Sequence, residues 1–470
     1  MPLKKWLKVN NKYKINLLGG DFMKKKSIWL SALAIVLMGL CFQAVAQEAR
    51  SRFDLMNLIR KEKFDFILPQ AMRDNKVDMW IHVIKRGDPD PLNLDLGGTM
   101  GYFIFTDRDG PRIERAYFSG PFGHLADESV YDIIGPESDI PKFVAERDPQ
   151  RIAVNMSEWL TVADGLSYTG HKKLVKLLGP KYAKKLVSAE NVITDFRVRR
   201  VQTEIIAFAK ACEIQRQILE EGLNRIKPGI TTREEIGWWA QDQLLAHGLQ
   251  PSLFGAELPG ISHSQVSQRS ETRRPDYTFQ RGDFISWDWG IRYLNFGTDF
   301  KRKAYILQQG EPSLPLGLQK AWDRGLKARE IIRKTYKSGH TAGETLKMIV
   351  KALEKAGFIY TPFTDIGPKD REIINSLGES PQSGFSIDCH CVGNTGNSEV
   401  AVGPSIAPFR PDRAHLLVHP NNLIAFEFIV HTWVPEWKRR LAINFEDNAL
   451  VTERGIEALY PRNEKIILIR

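Results

Sequence analysis

Cysteine is scarce in this chain, with four among 470 residues. Cys41 lies in an apolar segment near the N-terminus, which leaves Cys212, Cys389 and Cys391 for the rest of the chain. Three cysteines, two of which flank His390, do not make a disulfide framework. A zinc cluster at this Cys-His-Cys triplet is disfavoured as well, because neighbours on a strand point to opposite faces. We therefore expect these three cysteines to be buried and to take no part in chemistry.

The sequence also lacks the patch of basic and aromatic residues that would indicate a nucleic-acid partner. Its formal net charge is +10, but residues 1–46 hold eight lysines and one aspartate, which leaves a net charge of +3 for the remainder. No internal repeat or low-complexity segment interrupts the chain. We therefore exclude nucleic-acid binding and expect about two globular domains, each with its own apolar core.

The N-terminal segment is typical of a secretory signal. A basic stretch begins at Met23, an apolar run extends over residues 28–41, and residues 44–46 read Ala-Val-Ala, a small-residue cleavage site. We interpret residues 1–22 as an over-extended start and Met23 as the true initiator. Cleavage before Gln47 then implies export, most simply to a bacterial periplasm, with no stable membrane association afterwards.

Two aspartates stand on consecutive strand-like segments. Asp288 lies within residues 285–290, where apolar and polar side chains alternate, and Asp299 follows eleven positions later. The turn-like residues 293–297 predict a hairpin centred near residues 293 and 294. This hairpin would place the two carboxylates opposite each other. Because an acid in an apolar strand is costly to bury unless it is paired or binds a metal ion, the pair indicates a cation site.

Three later residues extend this pair. Glu427 interrupts the apolar run 423–430, Glu446 lies in the strand-like segment 442–447, and His390 precedes Cys391. Any one of these acids would most simply be an exposed strand position. Four carboxylates and one imidazole together suit Mn²⁺, Co²⁺, Fe²⁺ or Zn²⁺, and four negative charges approximately neutralise two divalent ions. The pattern therefore predicts a dinuclear metal centre.

The order Asp, Asp, His, Glu, Glu in these contexts resembles metallopeptidase family M24, which contains methionine aminopeptidase, aminopeptidase P, prolidase and creatinase. The resemblance covers about residues 195–465, with a weaker likeness to the family's N-terminal domain over about residues 50–190. It implies an α+β protein with a smaller creatinase-like α/β domain over 47–193 and a pita-bread catalytic domain over 194–470. It also implies that Asp299 and Glu446 bridge two ions, that Asp288 binds one of them, and that His390 and Glu427 bind the other.

The resemblance further implies hydrolysis of an amide bond. Two divalent ions, with Mn²⁺ expected and Co²⁺, Zn²⁺ or Fe²⁺ as alternatives, would activate a water molecule. Glu427 would accept its proton and pass it to the leaving nitrogen. His263, upstream of the first ligand, would assist at the developing oxyanion. A surface histidine without a catalytic role is the alternative interpretation of His263.

We expect an exported Xaa-Pro aminopeptidase or dipeptidase that acts on short peptides and forms a homodimer. Two departures from the family pattern concern the substrate. Asn397 stands where family peptidases usually carry a second histidine, and Asn444 stands where they often carry arginine. A creatinase-like hydrolase or lyase of a small amide-like substrate is therefore an alternative. A non-catalytic binding protein on the same fold is another, although none of the five ligands is lost.

Processing at the N-terminus yields a first testable prediction. We predict a mature chain that begins at Gln47, because a basic start, an apolar run and small residues together make a signal-peptidase site. N-terminal sequencing or intact mass of the protein from its native cell measures this. Retention of residues 23–46 would instead support a membrane anchor, since residues 27–46 are just long enough to span a bilayer.

Overall fold

The structure is a computed structural model. It describes residues 48–87, 90–252, 256–263, 269–362, 368–394 and 402–470. The chain divides into two compact units, Met1–Met56 and Asn57–Arg470. The described part of the first unit, residues 48–56, is helical, and the signal-like segment and Asn397 lie outside the described residues. Among the helices of the described residues, none is both long enough and apolar enough to span a membrane.

A six-stranded mixed sheet comes first in the second unit. Its strands are β1 (Met79–Ile84), β2 (Gly101–Thr106), β3 (Glu114–Ser119), β4 (Ile133–Pro136), β5 (Ile152–Val154) and β6 (Leu186–Ser188). The strand order is β4-β3-β2-β1-β5-β6. Every residue of β1 is buried, with Trp80 in one apolar cluster and Ile81 in another. Both faces of the sheet are therefore covered, which explains the continuous apolar sequence of β1.

Several α-helices of the described residues precede, separate or follow these strands. They are α1 (Leu68–Asp74), α2 (Asn93–Leu96), α3 (Ile140–Arg147), α4 (Tyr168–Ala183) and α5 (Glu190–Val198). Helix α4 is kinked at Gly179, which has a φ of 67° and precedes Pro180. Proline lacks the N–H that a continuous helix would need, so the kink falls at this pair.

The remainder of the chain contains further helices and strands. The helices are α6 (Gln202–Arg225), α7 (Arg233–Ala246), α8 (Arg269–Thr272), α9 (Leu316–Thr335), α10 (Ala342–Lys355) and α11 (Pro368–Ser376). The strands are β7 (Gln250–Pro251), β8 (Gly260–His263), β9 (Asp283–Trp289), β10 (Ile291–Tyr293), β11 (Phe296–Gly297), β12 (Phe300–Ile306), β13 (Phe358–Tyr360), β14 (Ser383–Ile387), β15 (Cys389–Cys391), β16 (Ser405–Ile406), β17 (Leu423–Val434), β18 (Arg439–Thr452), β19 (Gly455–Ala458) and β20 (Ile467–Ile469). The expected mixture of helices and sheets is confirmed.

These strands form three sheets whose pairing creates the candidate site. A four-stranded sheet has the order β20-β12-β9-β8, and a three-stranded sheet has the order β11-β10-β7. The seven-stranded sheet contains β13-β14-β17-β15-β16, with β18 and β19 attached through β17. Strands β17 and β18 pair in antiparallel register from Leu423 to Val434. An apolar core lies against them, where Phe445 stacks on Phe428 and packs against the tilted ring of Trp322 of α9.

The predicted register of the Asp288–Asp299 hairpin is wrong by one residue. Tyr293 pairs with Phe296, so the turn is centred between residues 294 and 295. Two features stabilise the turn at this position, namely the positive φ of Leu294, 54°, and a hydrogen bond of 2.8 Å that the buried side chain of Asn295 donates to Asp95. Asp288 is consequently opposite Lys301 and not opposite Asp299.

Candidate metal centre

Strands from two sheets carry the candidate ligands. Asp288 lies on β9 and Asp299 directly precedes β12. His390 lies on β15, opposite Ala425 of β17. Two residues further along β17, Glu427 pairs directly with Glu446 of β18. Because side chains alternate between the faces of a strand, this register places the imidazole and both glutamates on one face.

Ligand atoms of Asp299, His390 and Glu446 all lie within 4.8 Å of one another, and Glu427 also approaches His390. His390 Nε2 lies 3.8 Å from Asp299 Oδ2, 3.7 Å from Glu427 Oε2 and 3.9 Å from Glu446 Oε1. Bonds of about 2.0–2.2 Å to a tetrahedral ion place its ligand atoms roughly 3.5 Å apart, close to these separations. His390 Nδ1 lies 3.1 Å from the carbonyl oxygen of Cys391, an arrangement that leaves Nε2 as the nitrogen facing the carboxylates.

Two asparagines orient these ligands. Asn444 Nδ2 donates a hydrogen bond to Glu427 Oε1 at 2.7 Å. Asn448 Oδ1 accepts a hydrogen bond from the backbone N–H of Asp299 at 3.0 Å, and its Nδ2 donates to the Asp299 carbonyl at 2.6 Å. Asn448 was missed at the level of sequence, because a residue that holds only backbone groups of a distant segment leaves no periodic signal.

The carboxylates repel one another, and their pKa values reflect this. Burial raises the pKa of Asp299 to about 7 and raises the pKa of Glu446 well above its usual range. Burial alone would also raise the pKa of Glu427, but the ammonium of Lys301 and the imidazole of His390 hold it well below its usual range. A divalent cation would relieve this repulsion.

One divalent ion fits the residues on the His390 side. The buried Oε1 of Glu446 accepts no hydrogen bond from any residue that the structure describes. A buried oxygen without a partner is costly, and a metal ion would satisfy it. The donor set of carboxylates and one imidazole suits Mn²⁺, Co²⁺, Fe²⁺ or Zn²⁺. Asp299, His390, Glu427 and Glu446 would hold this ion.

Lys301 also lies in the site and was not singled out from the sequence. Its Nζ is 3.0 Å from Asp288 Oδ2 and 3.0 Å from Glu427 Oε1, and it also contacts Glu446 Oε2. Burial disfavours its charge, but the surrounding carboxylates raise the pKa of Lys301 well above its usual range. The available signal was its spacing of two residues from Asp299, which puts both side chains on the same face of an extended segment.

A cavity of about 560 Å³ adjoins Asp288 and Lys301. Asp288 is the one acidic side chain among the described residues that line it. The lining is otherwise rich in cations, namely Arg233, Arg273, Lys301, Lys303, Arg439 and Arg440. Arg233 and Arg440 donate hydrogen bonds to backbone carbonyls, which carry no net charge. These contacts therefore do not neutralise the positive charges of the two guanidinium groups. The cavity therefore favours a ligand with negative charge.

His263 lies in the wall of the same cavity, at the end of β8. Its side chain is buried, and its Nε2 is 3.1 Å from the carbonyl oxygen of Arg281. His263 is therefore not on the surface, contrary to one of the two interpretations, and its catalytic role stays a prediction. The three remaining cysteines of the chain are buried and form no disulfide, as expected.

Comparison with known proteins identifies the family. Residues 207–453 match the family model described as metallopeptidase family M24. The chain belongs to this family. Methionine aminopeptidase 1 of Saccharomyces cerevisiae is 24% identical over 277 residues, which are 56% of this chain and 63% of the relative. The Xaa-Pro dipeptidase of Pyrococcus furiosus is 24% identical over 237 residues, which are 49% of this chain and 63% of the relative.

The chain thus spans less than two thirds of the length of these curated M24 relatives. Likeness to solved structures extends further. The crystal structure of the X-Pro aminopeptidase from Thermotoga maritima has a TM-score of 0.58 at 16% identity and covers 85% of this chain and 100% of that chain. This similarity shows the fold, which is the pita-bread fold of the family, as predicted.

Metal uptake provides a second prediction. Asp299→Ala should lose most of the uptake of Mn²⁺, Co²⁺ or Zn²⁺, because it removes one ligand and one negative charge from the site. Metal analysis of the purified protein after equilibrium dialysis measures this. Asp388→Asn is the matched control, since Asp388 lies two residues before His390 but pairs with Arg410. Full metal loading of Asp299→Ala would contradict the site.

Proposed function

We propose that the chain is a metal-dependent peptidase of the Xaa-Pro aminopeptidase or dipeptidase type, which hydrolyses the N-terminal amide bond of short peptides. The observation that carries this proposal is the convergence of three carboxylates on His390 Nε2, at 3.7 to 3.9 Å, beside a cavity of about 560 Å³. Xaa-Pro peptidases among the relatives support the substrate class. Membership of the family supports the reaction type.

Glu427 is the residue that we propose to carry the proton. A bound divalent ion would supply Lewis acidity, which activates water and polarises the scissile carbonyl. Glu427 would accept the proton of the attacking water and return it to the leaving nitrogen. Asn444 donates a hydrogen bond to its Oε1 at 2.7 Å, which holds the carboxylate in place. His263, in the cavity wall, would orient the substrate carbonyl.

The charge of the cavity supports a substrate with a carboxylate near the scissile bond. Lys303 is buried, and its Nζ donates a hydrogen bond to Ser286 Oγ at 2.7 Å. Burial and the nearby ammonium of Lys301 lower the pKa of Lys303 to about 7. An incoming carboxylate would favour its charged form again. A dipeptide brings its C-terminal carboxylate within a few ångström of the cleaved bond, which favours dipeptides over longer peptides.

A creatinase-like hydrolase or lyase of a small amide-like substrate is the second candidate. Asn444 favours it, because family peptidases often carry arginine at this place and here the asparagine bonds to Glu427. A small acid would also suit the basic cavity. A non-catalytic binding protein is a further candidate, which would bind such ligands without turnover.

We also propose Mn²⁺ as the metal, export to the periplasm and a homodimer. Mn²⁺ suits a ligand set dominated by carboxylates. Export rests on the signal-like sequence of residues 23–46. The homodimer rests on the family resemblance of residues 47–193.

The preference for a carboxylate is a third prediction. An Xaa-Pro dipeptide should be hydrolysed with a kcat/KM about 10- to 100-fold higher than the same dipeptide with an amidated C-terminus, the worth of one charge-assisted hydrogen bond. Creatine-like amides belong in the same screen to address the second candidate. Lys303→Met should remove most of the difference between acid and amide. Equal rates for the two peptides would contradict a role for the basic cavity.

The role of Glu427 generates a fourth prediction. Glu427→Gln should lower turnover by about 10²-fold or more, because glutamine keeps the shape and one donor oxygen but accepts no proton. His263→Ala should show a smaller loss, limited to one hydrogen bond to the substrate. Steady-state kinetics with metal content measured in parallel test both changes. Near-normal turnover in metal-loaded Glu427→Gln would rule out this mechanism.

A further inference from the structure

The position of Lys301 is set by the backbone. In the ladder of β9 and β12 it lies directly opposite Asp288. Its Nζ is 3.0 Å from Asp288 Oδ2 and 3.0 Å from Glu427 Oε1, and it contacts Glu446 Oε2. The side chain is 8% exposed. The ammonium is thus held among three carboxylates by strand pairing and burial, unlike the mobile lysines of a protein surface.

The two glutamates divide their oxygens between two cation positions. Glu427 Oε1 and Glu446 Oε2 face the ammonium of Lys301. Glu427 Oε2 and Glu446 Oε1 lie instead 3.7 and 3.9 Å from His390 Nε2. The ammonium fills the first position, and His390 and Asp299 complete the second.

A metal ion and the ammonium would compete for the first position. A divalent ion bound to Asp288 and Glu446 would stand about 2.0–2.2 Å from their oxygens. The Lys301 nitrogen already contacts the same carboxylates, so ion and ammonium would be in close contact and would repel each other. We propose that Lys301 takes the place of the ion that Asp288 would bind, so that the chain holds one divalent ion, on the His390 side.

The formal charges agree with one ion. Four carboxylates carry −4, Lys301 contributes +1 and one divalent ion contributes +2, which leaves −1 in a site beside a cationic cavity. The inference rests on the proposed function for the presence of a metal ion. It does not depend on which substrate is cleaved.

The number of bound ions is the fifth prediction. The full chain, stripped of metal and titrated with Mn²⁺, should bind one ion and give the EPR spectrum of isolated Mn²⁺. Lys301→Ala should bind two ions and give the broadened spectrum of a spin-coupled pair, because the oxygens of Asp288 and Glu446 are released. Isothermal titration calorimetry gives the stoichiometry independently of the spectrum.

Two variants serve as controls. Lys303→Ala removes a lysine from the same face of β12 whose Nζ bonds Ser286 Oγ at 2.7 Å, and it should still bind one ion. Lys301→Arg keeps the charge and should also bind one ion. Either variant binding two ions would show that the charge at position 301 does not set the stoichiometry, which would overturn the inference.

The remaining outcomes separate this inference from the proposed function. Two coupled Mn²⁺ ions in the unmodified chain would overturn the inference even if peptides are hydrolysed. This measurement tests the inference even if Lys301→Ala does not fold. Equal stoichiometry in the unmodified chain and folded Lys301→Ala would overturn it as well. One ion in the unmodified chain and two in Lys301→Ala would uphold it, even if no peptide is turned over and the proposed function fails.

Discussion

Four carboxylates converge at one place and require positive charge there, although Asp288 is 54% exposed while Glu427 and Glu446 are largely buried. Each buried ion loses hydration worth several kcal/mol, which a counter-charge in good geometry has to offset. In this chain the ammonium of Lys301 contacts Asp288, Glu427 and Glu446. The carboxylate oxygens on the His390 side remain for a divalent ion. Lys301 thus supplies one counter-charge from the chain itself, and a bound divalent ion would supply the other.

On the face of β12 and β18 that points away from the site, a basic and an acidic side chain are also paired. Arg302 follows Lys301 on β12, and Asp447 follows Glu446 on β18. Arg302 and Asp447 form a buried ion pair at 3.0 Å. Because neighbours on a strand point to opposite faces, β12 and β18 are joined by one ion pair on each side. The asparagine at position 448 then holds both backbone groups of Asp299. This arrangement keeps the ligands in place through strand pairing and side-chain contacts beneath the site.

Charge also connects the metal centre with the cavity beside it. Lys301 belongs to both, since it contacts the carboxylate ligands and lines the cavity. Among the described residues that line the cavity, Asp288 is the one acidic side chain beside these cations. A substrate that brings its own negative charge would complete this environment. The family fold brings the candidate ligands together, while the lysines and arginines of this chain give the cavity its positive charge.

Much of the fold could be predicted from the sequence, and so could the candidate ligands, because acids within apolar strands are local signals. The structure brings Asp299, Glu427 and Glu446 together at His390, whereas Asp288 faces Lys301, and the role of these residues as ligands stays a prediction. The register of the hairpin could not be predicted from the local sequence. Its turn residue Asn295 bonds to Asp95, two hundred residues earlier, and the register of the hairpin places Lys301 opposite Asp288. The cavity likewise gathers cations from distant segments, so its charge was decided only by tertiary packing.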